Sequence, residues 1–492
     1  MISNITRYLS NWLPRTFSIS FRLSSVEPKA FHPGLVPCTH TMTEQSVASF
    51  GTRQLAEYAR SESLSSAPDA VRDDLERRVL DTFAAIVSGY RVEGIDAAAD
   101  YAAETFAAGE STLLDGSTRR LDPSGATYAN AMAANALDVD DGNRIAEGHP
   151  AAVLVPATLA AAEEAEATVG EFLDAMLAGY EISIRASVAL HERTGMHNSS
   201  GSWGAVAAAA AVSRLYGYDV ETTMDAMGIA EFNAPLSPVM RSVARPSSSM
   251  TKDGIGWGSH LGVAAAELAG RGFEASGTVF DEIEWNGLGS LDLPPLGTEY
   301  AVTESYYKPY PACRWIHSGI DAALALLEEH GIDPDEITQV RAYSHRKAIE
   351  LKTPRPGTPD AAQYSYPYVL AITLLRGDWI TPEQLNETWR EDDRVHAMID
   401  RISLHLDEEA QRRYPEQSVS RVEIRTASDT YRSGLTHPRG SRERPMTAEE
   451  HRKKQQLFID AHVGSGTAEQ LHTLLATDGK PVSALVSALE DE

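Results

Sequence analysis

The stretch that decides the fold runs Gly204-Ala205-Val206-Ala207-Ala208-Ala209-Ala210-Ala211-Val212-Ser213-Arg214-Leu215-Tyr216. Its side chains are almost all small. Alanine has the highest helix propensity, so the segment predicts a helix. No polar face interrupts it before Ser213, so that helix is expected to be buried and packed closely on its neighbours. Outward from it the pattern stays helical. Segments 75–87, 151–165 and 169–191 repeat apolar residues at three and four, and 261–269 is a further apolar helix. Joints rich in Gly, Pro and Asn separate them.

From about residue 305 the texture changes. A helix over 318–329 precedes strand-like alternation at 337–343 and again at 419–427. Between the two strands we expect a helix over 360–375 and another near Asp392. Segments 447–461 and 468–475 are helical again, and Thr447 with Glu450 forms a capping box. The order predicts a mainly α protein. A large all-helical domain is built from N- and C-terminal segments, with a smaller α+β domain inserted. The boundaries are 1–44 for an extension outside the fold, 45–304 for the helical domain, 305–435 for the insertion and 436–492 for the return.

The formal net charge is −27 over 492 residues, and only eight of the 43 basic residues are Lys. Such a surface suits high salt. It argues against nucleic acid and anionic membranes as partners. A protein this acidic that binds an anion must concentrate cations locally, so any Lys in an apolar setting draws notice. Two cysteines, Cys38 and Cys313, exclude a disulfide framework and disfavour an iron–sulfur cluster. The cytoplasm is the expected compartment. Residues 1–41 carry Arg7, Arg15, Arg22 and Lys29 against one acid, Glu27. They read as a targeting peptide or as a start assigned too early, and we expect Met42 to be the true start.

Four blocks carry candidate chemistry. Leu137-Asp138-Val139-Asp140-Asp141-Gly142-Asn143 is followed by Gly148-His149-Pro150. The acids suit either an oxygen-ligand metal site or a capping loop, and the distal Glu of a calcium loop is absent. Pro150 at a first helical turn would fix His149 at the helix mouth. The second block, Met196-His197-Asn198-Ser199-Ser200-Gly201-Ser202-Trp203-Gly204, opens the small-residue helix and suits either a carboxylate site or an ordinary helix start. In the third, Lys252 lies between Thr251 and Asp253-Gly254-Ile255-Gly256-Trp257. The fourth, Tyr306-Tyr307-Lys308-Pro309-Tyr310-Pro311-Ala312-Cys313-Arg314-Trp315-Ile316-His317, sits at the inferred domain boundary, where ligand sites are favoured. Cys313 has no nucleophile motif around it and reads as buried and inert.

In this order the four blocks resemble the MmgE/PrpD family, which includes 2-methylcitrate dehydratase and cis-aconitate decarboxylase. The resemblance covers about 45 to 492. It implies that the inserted α+β domain is a lid over a site between the two domains, and that the protein is a homodimer working without metal or organic cofactor. The implied function is a lyase (hydro-lyase) acting on a small polycarboxylate, most simply the dehydration of 2-methylcitrate in propionate catabolism. The alternatives are cis-aconitate decarboxylation or epimerisation, and, from another class, non-catalytic polycarboxylate binding. The resemblance maps Asp138, His149 and His197 to the catalytic set, without dividing acid from base. Lys252 and Lys308 map to substrate contacts, and Arg314 and His317 join them as neighbouring cation-capable groups. Two departures weaken the decarboxylase reading. That branch has Thr where this chain has Gly142-Asn143, and His just after the lid Lys where this chain has Cys313. Its lid Tyr corresponds to one of Tyr343, Tyr364, Tyr366 and Tyr368.

Overall fold

The structure is a computed structural model and describes residues 50–238, 252–281, 291 and 293–490. The extension 1–44, with its Met42 start, and Thr251 lie outside the described residues. The chain is mainly helical, with a small mixed sheet in its C-terminal region.

The small-residue segment forms the helix Ser200–Leu215, and every residue from Ala205 to Val212 is buried. It packs against Pro150–Glu164, Val169–Thr194, Val220–Asn233 and Ile255–Gly270. Glycines set how near these helices come. A Cβ at Gly204 would press on both Val153 methyls, and one at Gly258 or Gly262 would strike Gly201 or Ala208. Backbones at such a separation leave no room for larger side chains, which explains the composition of the stretch.

Local signals set the ends of these helices. Thr168 and Glu171 form a reciprocal capping box at the start of Val169–Thr194, which stops at Gly195 with φ 64°. The capping box expected from the sequence is also present, with Thr447 Oγ1 accepting from the Glu450 amide at 3.2 Å. The helix it starts, Ala448–Gln455, packs on Asp69–Gly89, as does Thr467–Leu475. Chain segments nearly 400 residues apart therefore share one core.

The sheet has strands Gln339–Ser344, Ile402–Leu406, Ser420–Arg425 and Thr430–Arg432. Gln339–Ser344 lies between Ile402–Leu406, parallel to it, and Ser420–Arg425, antiparallel, while Thr430–Arg432 pairs outside the latter. Two of these strands match the expected alternation. Ile402–Leu406 is too short and too evenly half-exposed to show it. The helix expected over 360–375 is two helices, Pro359–Gln363 and Tyr366–Arg376. Pro367 is tolerated only in a first turn, so Ser365 caps a new helix by accepting from the Tyr368 amide. Among the described residues no helix is long and apolar enough to cross a membrane.

Candidate active site

The acidic block leaves the helix Pro123–Ala134 through Asn135, and Asp138 takes φ 50°. A short strand, Gly142–Asn143, then pairs antiparallel with Ser305–Tyr306. Asn143 closes the loop that follows. Its side-chain oxygen accepts from the Ile145 and Ala146 amides, each at 2.9 Å, and its backbone N–H donates to Gly148 at 2.9 Å. The chain is thereby returned to Asp141, and Pro150 opens the helix Pro150–Glu164 with His149 as its N-cap at φ −117° and ψ 75°. The His149 amide donates to Ser200 Oγ at 3.0 Å, which ties it to the start of the small-residue helix.

The His149 imidazole is held at one end. Its Nδ1 lies 2.8 Å from Asp140 Oδ2 and 3.1 Å from the Asp141 carbonyl. Asp140 has no exposed surface and also accepts from Asn135 Nδ2 at 3.0 Å. Nε2 lies 3.9 Å from both Asp138 Oδ1 and Asp253 Oδ2. Burial and the neighbouring Lys308 ammonium push this imidazole down. The Asp140 charge, its hydrogen bond and Asp253 outweigh them and raise it to about 9. Burial opposes ionisation of Asp140, but His149, Lys308 and the two hydrogen bonds hold its carboxyl well below the usual range.

Lys308 is 1% exposed. Its Nζ donates to Asp138 Oδ1 at 2.6 Å and sits 3.3 Å from His149 Nδ1. Burial lowers the ammonium's affinity for its proton, but Asp138 and Asp140 more than reverse that. Asp138, Asp140 and His149 are the group whose ligand atoms, within 4.8 Å of one another, have the donor chemistry of a metal site. The Lys308 ammonium already takes Asp138 Oδ1 at 2.6 Å and stands 3.3 Å from His149 Nδ1, and its positive charge there opposes a divalent ion at this set.

Lys252, at φ 30°, donates to the carbonyls of Asn135 (2.7 Å) and Ala136 (2.8 Å) and to Gln363 Oε1 (2.7 Å), with Asp360 Oδ1 at 3.4 Å. It thus ties the end of one helical segment to the short helix Pro359–Gln363. The sequence gives a cleft Lys no structural duty, whereas here three partners hold it and its ammonium is matched by a carboxylate. Among the described residues, Asp138 matches the Lys308 charge and Asp360 that of Lys252. Buried Cys313 lies in the fields of Asp138, Lys308 and Lys252, with burial pushing its thiol up to about 12. Tyr364 lies in those of Asp138, Cys313, Asp360 and Asp253. Of the four candidate tyrosines it alone reaches this group. Tyr343 stacks on His405, Tyr366 lies against Gly319, and the Tyr368 hydroxyl donates to the Gln384 carbonyl.

Asp138, His149 and Lys308 therefore come together, while Lys252 holds the Asn135 and Ala136 carbonyls just ahead of Asp138 in the chain. The other three sequence-derived residues have different partners. His197 meets Glu147, with Nδ1 3.1 Å from its carboxylate and Nε2 2.6 Å from its carbonyl. The Arg314 guanidinium donates to the carbonyls of Tyr307 and Arg439 at 3.2 and 2.7 Å, and burial lowers it to about 10. His317 is wholly buried, with Nε2 2.8 Å from the Ala312 carbonyl, and burial holds it well below its ordinary value. Sequence reasoning misses Asp140 as the partner of His149, and it misses Asp253, which accepts from Ser200 Oγ at 2.6 Å. Asp140 stands next to Asp141 in the quoted run, and nothing in spacing separates their roles. Only the fold turns Asp140 toward His149 and Asp141 toward Arg78 and Tyr180. Asp138, Glu147 and Lys252 are three of the four described non-glycine residues with positive φ, and such backbone concentrates at functional sites.

An imidazolium oriented by a buried carboxylate, beside an ammonium–carboxylate pair, equips a site to move protons next to a carboxylate. Residues 53–290 match the MmgE/PrpD N-terminal domain and residues 310–477 the MmgE/PrpD C-terminal domain, so the chain belongs to the MmgE/PrpD family of lyase-type enzymes that act on carboxylic acids. A curated relative is the cis-aconitate decarboxylase-like protein oryM of Aspergillus oryzae. It is 26% identical over 404 residues, which span 74% of this chain and 81% of the relative.

Proposed function

We propose that the protein is a cofactor-free hydro-lyase that dehydrates a small hydroxy-tricarboxylate of the 2-methylcitrate type. The observation that carries this is the placement of His149: Nδ1 is anchored by Asp140, whose charge favours the imidazolium, and Nε2 lies 3.9 Å from both Asp138 and Asp253. In this reading a substrate carboxylate takes over the Lys308 ammonium and frees Asp138 Oδ1. Asp138 removes the proton next to that carboxylate, and the C–H electron pair becomes the new double bond. The C–O pair leaves with the hydroxyl, which takes the His149 Nε2 proton and departs as water. Lys308 steadies the charge that develops on the carboxylate. Asp138 then returns its proton to Nε2 across the 3.9 Å gap.

Lys252, Arg314 and His317 support the substrate-binding walls, and His197 stands with Glu147 as a further proton handler. The division into a helical domain and a lid, the homodimer and a cytoplasmic location belong to the same reading.

Decarboxylation of cis-aconitate is the second reading, and the Aspergillus relative favours it. There the C–C pair would remain on carbon and take the same His149 proton as carbon dioxide leaves. Gly142-Asn143 and Cys313 weigh against it, standing where the decarboxylase branch carries Thr and His. Incubation with citrate, 2-methylcitrate and cis-aconitate, followed by mass spectrometry, decides. A loss of about 18 mass units supports dehydration, about 44 decarboxylation, and an unchanged mass with tight binding a non-catalytic binding protein.

A further inference from the structure

Gly142 and Tyr306 face each other across the short antiparallel pair that joins the acidic block to the segment bearing Lys308. The phenol lies so close over Gly142 that a Cβ there would collide with its Cζ and its hydroxyl oxygen. Any other residue at 142 would displace the ring. The Arg314 guanidinium packs on the ring at 4.5 Å and is itself held by the Tyr307 and Arg439 carbonyls. The ring is thus fixed at its face and at its hydroxyl end. The hydroxyl nevertheless makes no hydrogen bond to a described residue, and the side chain is only half-buried. Tyr306 precedes Lys308 by two residues, and its phenol lies in the fields of Lys308, Arg314 and Asp138. A rigid O–H donor without a partner, beside an ammonium that faces the proton-handling pair, is arranged to receive a carboxylate.

We infer that Tyr306 is a specificity-determining residue: its hydroxyl donates to the substrate carboxylate that takes up Lys308, and Gly142 is the gap that lets the ring reach it. This deepens the proposed function and rests on its premise that the ligand is a polycarboxylate. The Arg314 contact alone would give Tyr306 only a packing role, and phenylalanine would satisfy that role equally well.

The test is calorimetric titration with tricarballylate, a tricarboxylate without a hydroxyl to eliminate. The proteins are the wild type, Tyr306→Phe, Gly142→Ala and the double variant. Tyr306→Phe should keep its melting temperature and bind about tenfold more weakly, the usual effect of losing one hydrogen bond to a charged group. Gly142→Ala should bind at least as weakly. The double variant should be no weaker than Gly142→Ala, because a displaced ring no longer presents its hydroxyl. With any substrate that turns over, Tyr306→Phe should raise KM and largely spare kcat. Unchanged affinity in Tyr306→Phe while the wild type binds overturns this inference and leaves the proposed function standing. Additive losses in the double variant do the same. If the wild type binds no tricarboxylate, the proposed function falls and this inference with it.

Discussion

Asp140 and His149 are paired at 2.8 Å, carboxylate oxygen to Nδ1, and Asp140 has no exposed surface. The pairing puts the imidazole proton of Nδ1 on the Asp140 side and leaves Nε2 for chemistry, the same division of labour that a buried carboxylate imposes on a catalytic histidine elsewhere. It also sets the charge of the site, because the imidazolium is stabilised against both burial and Lys308.

Asp140→Asn should therefore change the pH profile as well as the rate. In the wild type the acid form of His149 persists up to about pH 9, and kcat should fall above that value. In Asp140→Asn the fall should move to lower pH, with kcat reduced about 10²- to 10⁴-fold. The folded imidazole titrates above its unfolded value, so its pairing stabilises the protein fully below about pH 6.5, and this is lost as pH rises through about 9. Urea midpoints across that window should decline more in the wild type than in His149→Gln. An Asp140→Asn profile that overlays the wild type would show that the pair does not govern the proton.

Lys308 and Asp138 should behave as a unit. Lys308→Met leaves the Asp138 carboxylate buried without its cation, which costs about 3–5 kcal/mol of stability. Adding Asp138→Asn should restore most of the melting temperature while activity stays lost. Recovery of turnover in the double variant would remove both residues from the mechanism.

Lys252→Ala is expected to destabilise as well as impair. The ammonium holds two carbonyls and Gln363, and its loss removes the 3.4 Å ion pair to the buried Asp360 carboxylate. A charged hydrogen-bond set of this kind is worth about 2–4 kcal/mol, read from the urea midpoint. A variant as stable as the wild type but with raised KM would instead make Lys252 a substrate contact free of structural duty.

Activity should survive exhaustive chelation. The Lys308 ammonium already pairs with Asp138 and lies 3.3 Å from His149 Nδ1, two of the three groups a divalent ion would need. The check is the rate after dialysis against chelator and after adding back magnesium, zinc or iron. Recovery that depends on one of these ions would require Lys308 to move aside and would replace the present mechanism.

The sequence by itself determined the helical body, the two principal strands, the Thr447–Glu450 capping box and the family. Each of these is written in local patterns. Ala and Gly mark the buried helix at 200–215, Thr and Glu three residues apart mark helix starts, and Pro150 places His149 at a helix mouth. Tertiary structure alone decided which of three adjacent acids serves His149, because a turn directs Asp140 and Asp141 to different neighbours. It alone brought Lys308 onto Asp138 from 170 residues away and gave Lys252 partners from 111 to 117 residues away. It also seated the Tyr306 ring over Gly142. Local pattern specifies the backbone and the burial of each segment. Which charges meet depends on how those segments pack, and no spacing within the chain encodes that.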